Sequence, residues 1–116
     1  MDGAMILTVP VAADGRVDAR FGKATTMAVA KVDDGELTDW QAHEVGWDVL
    51  HGQSEHGQHH ARIVRFVRDQ QIERVVFAHM GQGMIHVMGK MGLTLVQVDQ
   101  MDAKQAVLAA AALQPE

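Results

Sequence analysis

The chain has 116 residues, of which 47% are hydrophobic, no cysteine, and a formal net charge of −5. These values fit a single folded domain over residues 1–116, and they exclude a disordered chain, disulfides, thiolate ligands and cysteine nucleophiles. The acidic balance disfavours nucleic acid as a partner, and no apolar run approaches the ~20 residues of a membrane helix. We therefore expect a cytoplasmic protein with no membrane contact and no secretory leader. We assign no role to residues 1–4, which resemble an added or disordered start.

The first half of the chain predicts three strands. Residues 5–12 form a nearly unbroken apolar run, which is typical of a strand covered on both faces. Residues 25–32 predict a second strand, and residues 33–35 (Asp-Asp-Gly) a hairpin turn. Residues 36–45 predict a third, more polar strand, which we expect at the edge of the sheet. Residues 46–58 have no usable period, so we expect a long loop of about a dozen residues there.

After residue 59 helical and strand-like segments alternate. The first is a helix from residue 59, with Ile63, Phe66, Val67 and Gln70 on one face and Arg62 on the other. It is followed by a strand at 74–78, a helix at 81–91, a strand at 93–98 and a helix at 103–113. Asp102 is the predicted N-cap of the last helix. Three strands followed by this alternation predict one mixed sheet with helices on its faces.

Histidines concentrate just before the first predicted helix. His56, His59 and His60 lie within five residues, and His51 precedes them. His56 and His60 are four residues apart and share a face if the helix begins early. Because imidazole is the commonest protein ligand for metals, the cluster indicates contact with a metal or a metal cluster. A solvated, polar helix start explains the same residues equally well.

A glycine-containing turn at residues 78–84 follows a buried strand and precedes a helix. Gly81 and Gly83 let a ligand approach the backbone, and the N–H groups of a helix start attract anions. A phosphate or an anionic cluster would suit such a turn, although a tight strand-to-helix connection needs glycine for its own sake. The segment has neither the third glycine of a dinucleotide site nor the Lys-Ser/Thr pair of a P-loop.

Methionines form a stripe along the helix that follows this turn. Met80, Met84, Met88 and Met91 are spaced by four, four and three residues. Core packing is the favoured interpretation, and thioether contact with copper or a sulfide cluster is the alternative. His86 lies off the stripe and is expected at the surface.

A basic loop separates the first two predicted strands. Phe21 is expected to anchor it, and Gly22 to let the chain turn. Arg16, Arg20 and Lys23 could place positive charge beside an anion. A solvated loop is the alternative interpretation.

The patterns of common hydrolases are missing. No serine lies in a Gly-x-Ser-x-Gly segment. The first strand carries no carboxylate, which a two-metal nuclease on such a sheet would need. A metal-dependent hydrolase that uses the histidines is the weakest hypothesis, because no carboxylate–histidine pairing of known spacing is present. We therefore expect a binding protein and not an enzyme.

Four segments, in order, resemble the dinitrogenase iron–molybdenum cofactor biosynthesis family, of the NifX and NafY type and the C-terminal part of NifB. They are Val9-Pro10-Val11 followed by Asp14-Gly15-Arg16-Val17, Arg20-Phe21-Gly22-Lys23-Ala24, residues 51–60, and residues 78–84. The resemblance implies a three-layer ribonuclease H-like α/β fold. It implies a five-stranded mixed sheet of order 3-2-1-4-5, with strand 2 antiparallel and helices on both faces. It also implies a metal–sulfur cluster bound in a cleft at one end of the sheet.

Family members carry or store such clusters during cofactor assembly, in nitrogen fixation and in related roles, so the resemblance implies a cluster donor or acceptor protein as partner. The expected cofactor contacts are Arg16, Arg20, Phe21, Gly22, Lys23, Gly81, Gly83 and Met84, and the expected metal ligands are His56, His59, His60 and His79. Arg20 stands where many members have histidine, and the cysteine that many members carry near the His/Gly segment is missing. His79 is expected to act as a local substitute ligand.

A second hypothesis follows from the missing cysteines. The domain could be a regulatory or protein-interaction module that has kept the fold and lost the cluster. In that case a homodimer through the edge strand at residues 36–45 is the expected assembly.

Overall fold

The computed structural model of the protein describes the backbone of residues 4–53 and 56–113, and the side chains of residues 4–50 and 57–113. Its elements, in chain order, are β1 (Ala4–Val11), β2 (Thr26–Asp33), β3 (Glu36–Glu44), α1 (Trp47–Gln53), α2 (His56–Asp69), β4 (Arg74–Phe77), α3 (Gln82–Lys90), β5 (Thr94–Gln97) and α4 (Ala103–Ala112). Ala4 is already part of the sheet, whereas residues 1–3 lie outside the described residues. No helix in the described part of the chain has the length and apolar character needed to cross a bilayer.

The strands form one five-stranded sheet of order β3-β2-β1-β4-β5. β2 runs antiparallel to both β1 and β3, whereas β4 is parallel to β1 and to β5. This confirms the order and direction that the resemblance implies, and it places β3 at the edge as predicted. Asp34 (φ 56°) and Gly35 (φ 82°) both have the left-handed conformation, which is typical of the tight hairpin between β2 and β3.

The two faces of the sheet carry different cores. On the α4 face, α4 packs small residues, among them Ala106, Val107 and Ala110, against the strands. On the α2–α3 face, aromatic and methionine side chains such as Trp47 and Met88 cover the sheet. The helices on both faces confirm the three-layer arrangement. Met80, Met84 and Met88 are buried in the core of the α2–α3 face, which confirms the packing interpretation of the stripe, and His86 is exposed as expected.

The predicted loop at residues 46–58 is wrong, because this stretch contains α1 and the start of α2. Gly46, at φ 62°, turns the chain, and its carbonyl accepts the N–H groups of Val49 and Leu50 at 3.1 Å. Trp47 is 2% exposed and packs edge-on against Phe66 with ring centroids 5.6 Å apart. This tertiary anchor, and not a local period, makes α1 helical. Residues 54 and 55 lie outside the described residues.

The other predicted elements are confirmed with ends shifted by a residue or two, except that α2 begins three residues earlier than predicted. Asp102 caps α4, since its carboxylate accepts the N–H of Gln105 at 3.0 Å. One end of the sheet collects most of the connections. Val11, at the end of β1, lies opposite Thr26 at the start of β2, and Thr26 lies opposite Glu44 at the end of β3. Because β4 and β5 are parallel to β1, the segments that follow them leave from this same end.

Candidate functional site

Two adjoining cavities lie at this end of the sheet, where the loop before β2, the start of α2 and the turn before α3 meet. The basic cavity, of about 320 Å³, is lined by Arg20, Phe21, Gly22, Lys23, His79, Met80 and Gly81. The histidine cavity, of about 240 Å³, is lined by Gly22, His59, His60, Ile63, Met80, Gly81, Gln82, Gly83 and Met84. Gly22, Met80 and Gly81 line both cavities. The two cavities therefore form one cleft with a basic part and a histidine part.

The basic loop is held in place by Phe21. Its side chain is 1% exposed and packs against Trp47, with ring centroids 5.9 Å apart. Its backbone N–H donates to the carbonyl of His79 at 3.1 Å, which ties the loop to the turn before α3. The anchoring predicted for Phe21 is confirmed. Arg20 and Lys23, on either side of the Phe21-Gly22 pair, remain exposed, so their charges lie in solvent at the cavity.

His59 joins the same loop to α2. Its ring is 2% exposed, with Nε2 2.7 Å from the carbonyl oxygen of Gly22 and Nδ1 2.8 Å from Nη1 of Arg62. A guanidinium can only donate, so Nδ1 accepts and Nε2 carries the proton that it donates to Gly22. As long as these bonds persist, neither nitrogen offers a lone pair to a metal. The expectation that His59 is a ligand stays a prediction, and it now requires at least that the hydrogen bond from Arg62 be given up.

His60 faces the start of α3. It is half-buried, and a Cβ atom added at Gly83 would lie 3.3 Å from its Cε1 atom. Glycine at this position therefore admits the imidazole ring beside the helix start. Gly81 is the N-cap residue of α3 and provides no side-chain cap, and it lines the histidine cavity together with the first residues of the helix, Gln82, Gly83 and Met84.

The cleft brings together most of the residues that the sequence singles out. They are Arg20, Phe21, Gly22, Lys23, His59, His60, His79, Gly81, Gly83 and Met84. Arg16 is placed elsewhere: its backbone pairs with Asp102 ahead of α4, and it lines neither cavity. His56 is the first residue of α2, and its side chain, like that of His51, lies outside the described residues.

Two contributors to the site are not found by sequence reasoning. Trp47 packs against both Phe21 and His59, the latter edge-on at 6.4 Å between ring centroids. The sequence gives only a slight signal of a helix start at Trp47. This residue directly follows Gly46, and an acidic residue follows it in the first helical turn. Arg62, assigned to the outer face, is one helical turn from His59 and could have been paired with it by that spacing.

The side chains that the structure describes do not by themselves form an ion site. Among the described residues, no group of three or more His, Asp or Glu side chains could hold a metal ion. The cleft instead offers imidazole rings, two cationic side chains and a helix start. These groups suit an anionic guest that arrives with most of its own ligands.

These features define the class of protein, which is an α/β domain with a mixed sheet and a cleft at the carboxyl ends of its parallel strands. A sequence model described as dinitrogenase iron–molybdenum cofactor matches residues 4–113, and the chain belongs to this family. No curated protein matches the sequence.

Solved structures share the fold at low sequence identity. The crystal structure of PH0822 has a TM-score of 0.73 at 17% identity, over 92% of this chain and 88% of that one. A candidate dinitrogenase from Methanocaldococcus jannaschii has a TM-score of 0.66 at 9% identity, over 92% and 88% of the two chains. A candidate NifB protein from Thermotoga, solved by NMR, has a TM-score of 0.67 at 15% identity, over 97% and 98%.

Proposed function

We propose that the protein binds a preassembled metal–sulfur cluster, of the iron–molybdenum cofactor type or a precursor of it, in the cleft formed by the basic and histidine cavities. It carries or stores this cluster between a donor and an acceptor protein, as a single cytoplasmic domain that catalyses no reaction. The observation that carries the proposal is the meeting of a basic loop, three histidines (His59, His60 and His79) and a glycine turn in one cleft. Membership of the iron–molybdenum cofactor family supports a role in the assembly of that cofactor.

The size of the cleft favours a cluster over a bare ion. Its two parts have volumes of about 320 and 240 Å³, whereas a single water, which is comparable to a small ion, takes about 30 Å³. A bare ion would also need several protein ligands at one point, and the described side chains offer no such group. A cluster brings its own sulfides and needs only a few donors at its open positions.

The charges around the cleft suit an anionic guest. Arg20 and Lys23 lie at the basic cavity, and the start of α3 adds the positive end of a helix dipole to the histidine cavity. Both cations are exposed, so each contributes modestly and in a salt-dependent way. His60 and His79 are then the imidazoles that reach the metal atoms, with His56 as a third predicted ligand.

The test uses tetrathiomolybdate, a soft sulfide anion with a visible absorption band, as the probe. The wild-type protein should bind it and perturb its spectrum, and should bind molybdate, which lacks sulfide, much more weakly. In the double variant His60→Ala plus His79→Ala, binding should weaken at least about tenfold, because two imidazoles that can donate N–H groups to the sulfides are lost.

The matched control is His86→Ala, which removes an exposed histidine of α3 outside the cleft and should leave binding unchanged. Equal loss in the control and the double variant would indicate non-specific binding. A wild-type protein that ignores tetrathiomolybdate and isolated iron–molybdenum cofactor alike would overturn the proposal.

A second candidate is a cluster-free interaction module that dimerises through β3. The position of β3 at the edge of the sheet favours it, because an edge strand has a side available for pairing with another copy. Light scattering that finds a dimer, together with elemental analysis that finds no iron or molybdenum in native protein, would support this candidate. A monomer that binds the probe would exclude it.

A further inference from the structure

We propose that His59 is a positioning residue which, together with Arg62, locks the Gly22 loop onto α2 and so shapes the wall shared by the two cavities. In this arrangement it is not a metal ligand. The inference rests on the proposed function, because the shape of this wall matters only if a cluster binds in the cleft. We call the two hydrogen bonds of His59 the lock, and they can be measured without any bound cluster.

The hydrogen bonds determine the state of the ring. Arg62 donates to Nδ1 at 2.8 Å, and a guanidinium has no lone pair with which to accept. Nδ1 therefore accepts, and the neutral imidazole carries its proton on Nε2, where it donates to the carbonyl of Gly22 at 2.7 Å. Arg62 thus selects the tautomer that binds Gly22, much as outer-shell partners orient the ligands of metal sites.

The bond acts on a short loop that is held from two sides. The carbonyl of Gly22 is bound by α2 through His59, and the N–H of the preceding Phe21 is bound by the carbonyl of His79 ahead of α3. Trp47 packs against the rings of both Phe21 and His59. Because His59 is 2% exposed, water does not readily replace its bonds.

The position of the loop decides where its charges lie. Gly22 lines both cavities, and the cations at Arg20 and Lys23 flank the Phe21-Gly22 pair. If the bond between His59 and Gly22 is lost, only the Phe21 contacts hold the loop, so the loop, including the Phe21 N–H bond to His79, opens more often. The two cations then spread over more positions, and an anionic guest has to order them when it binds.

A glutamine at position 59 separates positioning from ligation. Its amide N–H can donate to the Gly22 carbonyl in place of Nε2, but it cannot supply an imidazole lone pair to a metal. The variants are therefore His59→Gln, His59→Leu and Arg62→Gln, with His86→Ala as the control. The probes are tetrathiomolybdate, which reports the affinity of the cleft for a sulfide anion, and isolated iron–molybdenum cofactor, whose bound spectrum reports ligation at its open metal positions.

We expect His59→Leu to weaken probe binding about tenfold, Arg62→Gln to weaken it a few-fold, and His59→Gln to stay within about twofold of wild type. The spectrum of the bound iron–molybdenum cofactor should be the same in all of them, because its metal atoms keep their protein donors. If His59→Gln binds as poorly as His59→Leu and alters the bound spectrum, His59 is a ligand and the inference is wrong.

Amide hydrogen exchange tests the lock without the probe and covers the case in which His59→Leu fails to fold. In His59→Gln the Phe21 amide should exchange as in wild type, and in Arg62→Gln it should exchange at least about tenfold faster. Unchanged exchange in Arg62→Gln would overturn the lock. A protein that shows this exchange pattern but binds no probe would instead retain the lock and refute the proposed function.

Discussion

The two faces of the sheet are both covered by helices, but different kinds of side chain form the two cores. On the α4 face, alanines and valines let the helix lie close to the strands, and none of the buried residues there lines the cleft. On the α2–α3 face, aromatic and methionine side chains form the core, and Phe21, Met80 and Met84 of this core also line the cleft. The core of the α2–α3 face is therefore shared between stability and the site, whereas the core of the α4 face is separate from the cleft.

Each face has one tryptophan, which makes the comparison testable. Trp47, on the α2–α3 face, is 2% exposed and contacts Phe21, His59 and Phe66. Trp40, on the α4 face, is half-buried, and the ammonium of Lys104 lies 5.4 Å from its ring centroid. Trp47 therefore lies under the site, whereas Trp40 lies at the margin of the core on the α4 face.

The largest effect is expected from Trp47→Ala. Removing this fully buried side chain should lower the free energy of unfolding by about 3–5 kcal/mol, a large part of the ~5–15 kcal/mol of a typical domain. Trp40→Ala should cost only about 1 kcal/mol, because a partly exposed ring and a surface cation–π contact are lost. Urea unfolding followed by far-ultraviolet circular dichroism measures both.

Probe binding completes the test of the tryptophan pair. At temperatures where each variant is folded, Trp47→Ala should weaken tetrathiomolybdate binding, whereas Trp40→Ala should leave it unchanged. Trp47→Phe retains a ring at the position and should recover much of the stability. If the two alanine variants lose similar stability, or if only Trp40→Ala affects the probe, the contrast between the faces is wrong.

An intermediate effect is expected from Ala106→Leu on the α4 face. Ala106 is fully buried on the face of α4 that packs against the sheet, so a larger side chain should force the helix outward and cost about 1–3 kcal/mol. Ala109→Leu, an exposed position on the same helix, should change stability by less than about 0.5 kcal/mol. Probe affinity per folded molecule should be unchanged in both variants, since α4 does not reach the cleft. Impaired probe binding in folded Ala106→Leu would show that the α4 face contributes to the site.

The sequence predicts the periodic parts of this fold and misses the parts that depend on tertiary contact. Apolar runs, the turn at Asp34-Gly35 and the cap at Asp102 are local signals, and the elements that they predict are present. α1 has no such period and is held by Trp47, so its sequence resembles a loop. The sheet direction came from the resemblance, because strand order is not encoded in any one segment.

The site was predictable as a set of segments but not as a set of contacts. The basic loop, the histidines of α2 and the glycine turn do meet, since all three follow or face the same end of the sheet. Their individual roles depend on side-chain geometry. Arg16 shares the basic character of the loop, yet its backbone pairs with Asp102. His59 resembles its neighbour His60 in the sequence, but it forms hydrogen bonds to Gly22 and Arg62.

The smallest effect is expected from two glycine substitutions within α3. Gly89→Ala, with nothing within 4 Å of the added Cβ atom, should raise the free energy of unfolding by about 0.5–1 kcal/mol through helix propensity. Gly83→Ala offers a similar gain, but its methyl group would lie 3.3 Å from Cε1 of His60, so the imidazole ring must shift by a few tenths of an ångström. Its net stabilisation should therefore be smaller, and tetrathiomolybdate binding should weaken a few-fold in Gly83→Ala alone. Thermal unfolding and a probe titration on the two variants side by side measure this difference. If Gly83→Ala gains as much stability as Gly89→Ala and keeps full affinity, then the close approach of His60 to the start of α3 does not matter for the guest, and the donors of the cleft must be sought in the basic cavity.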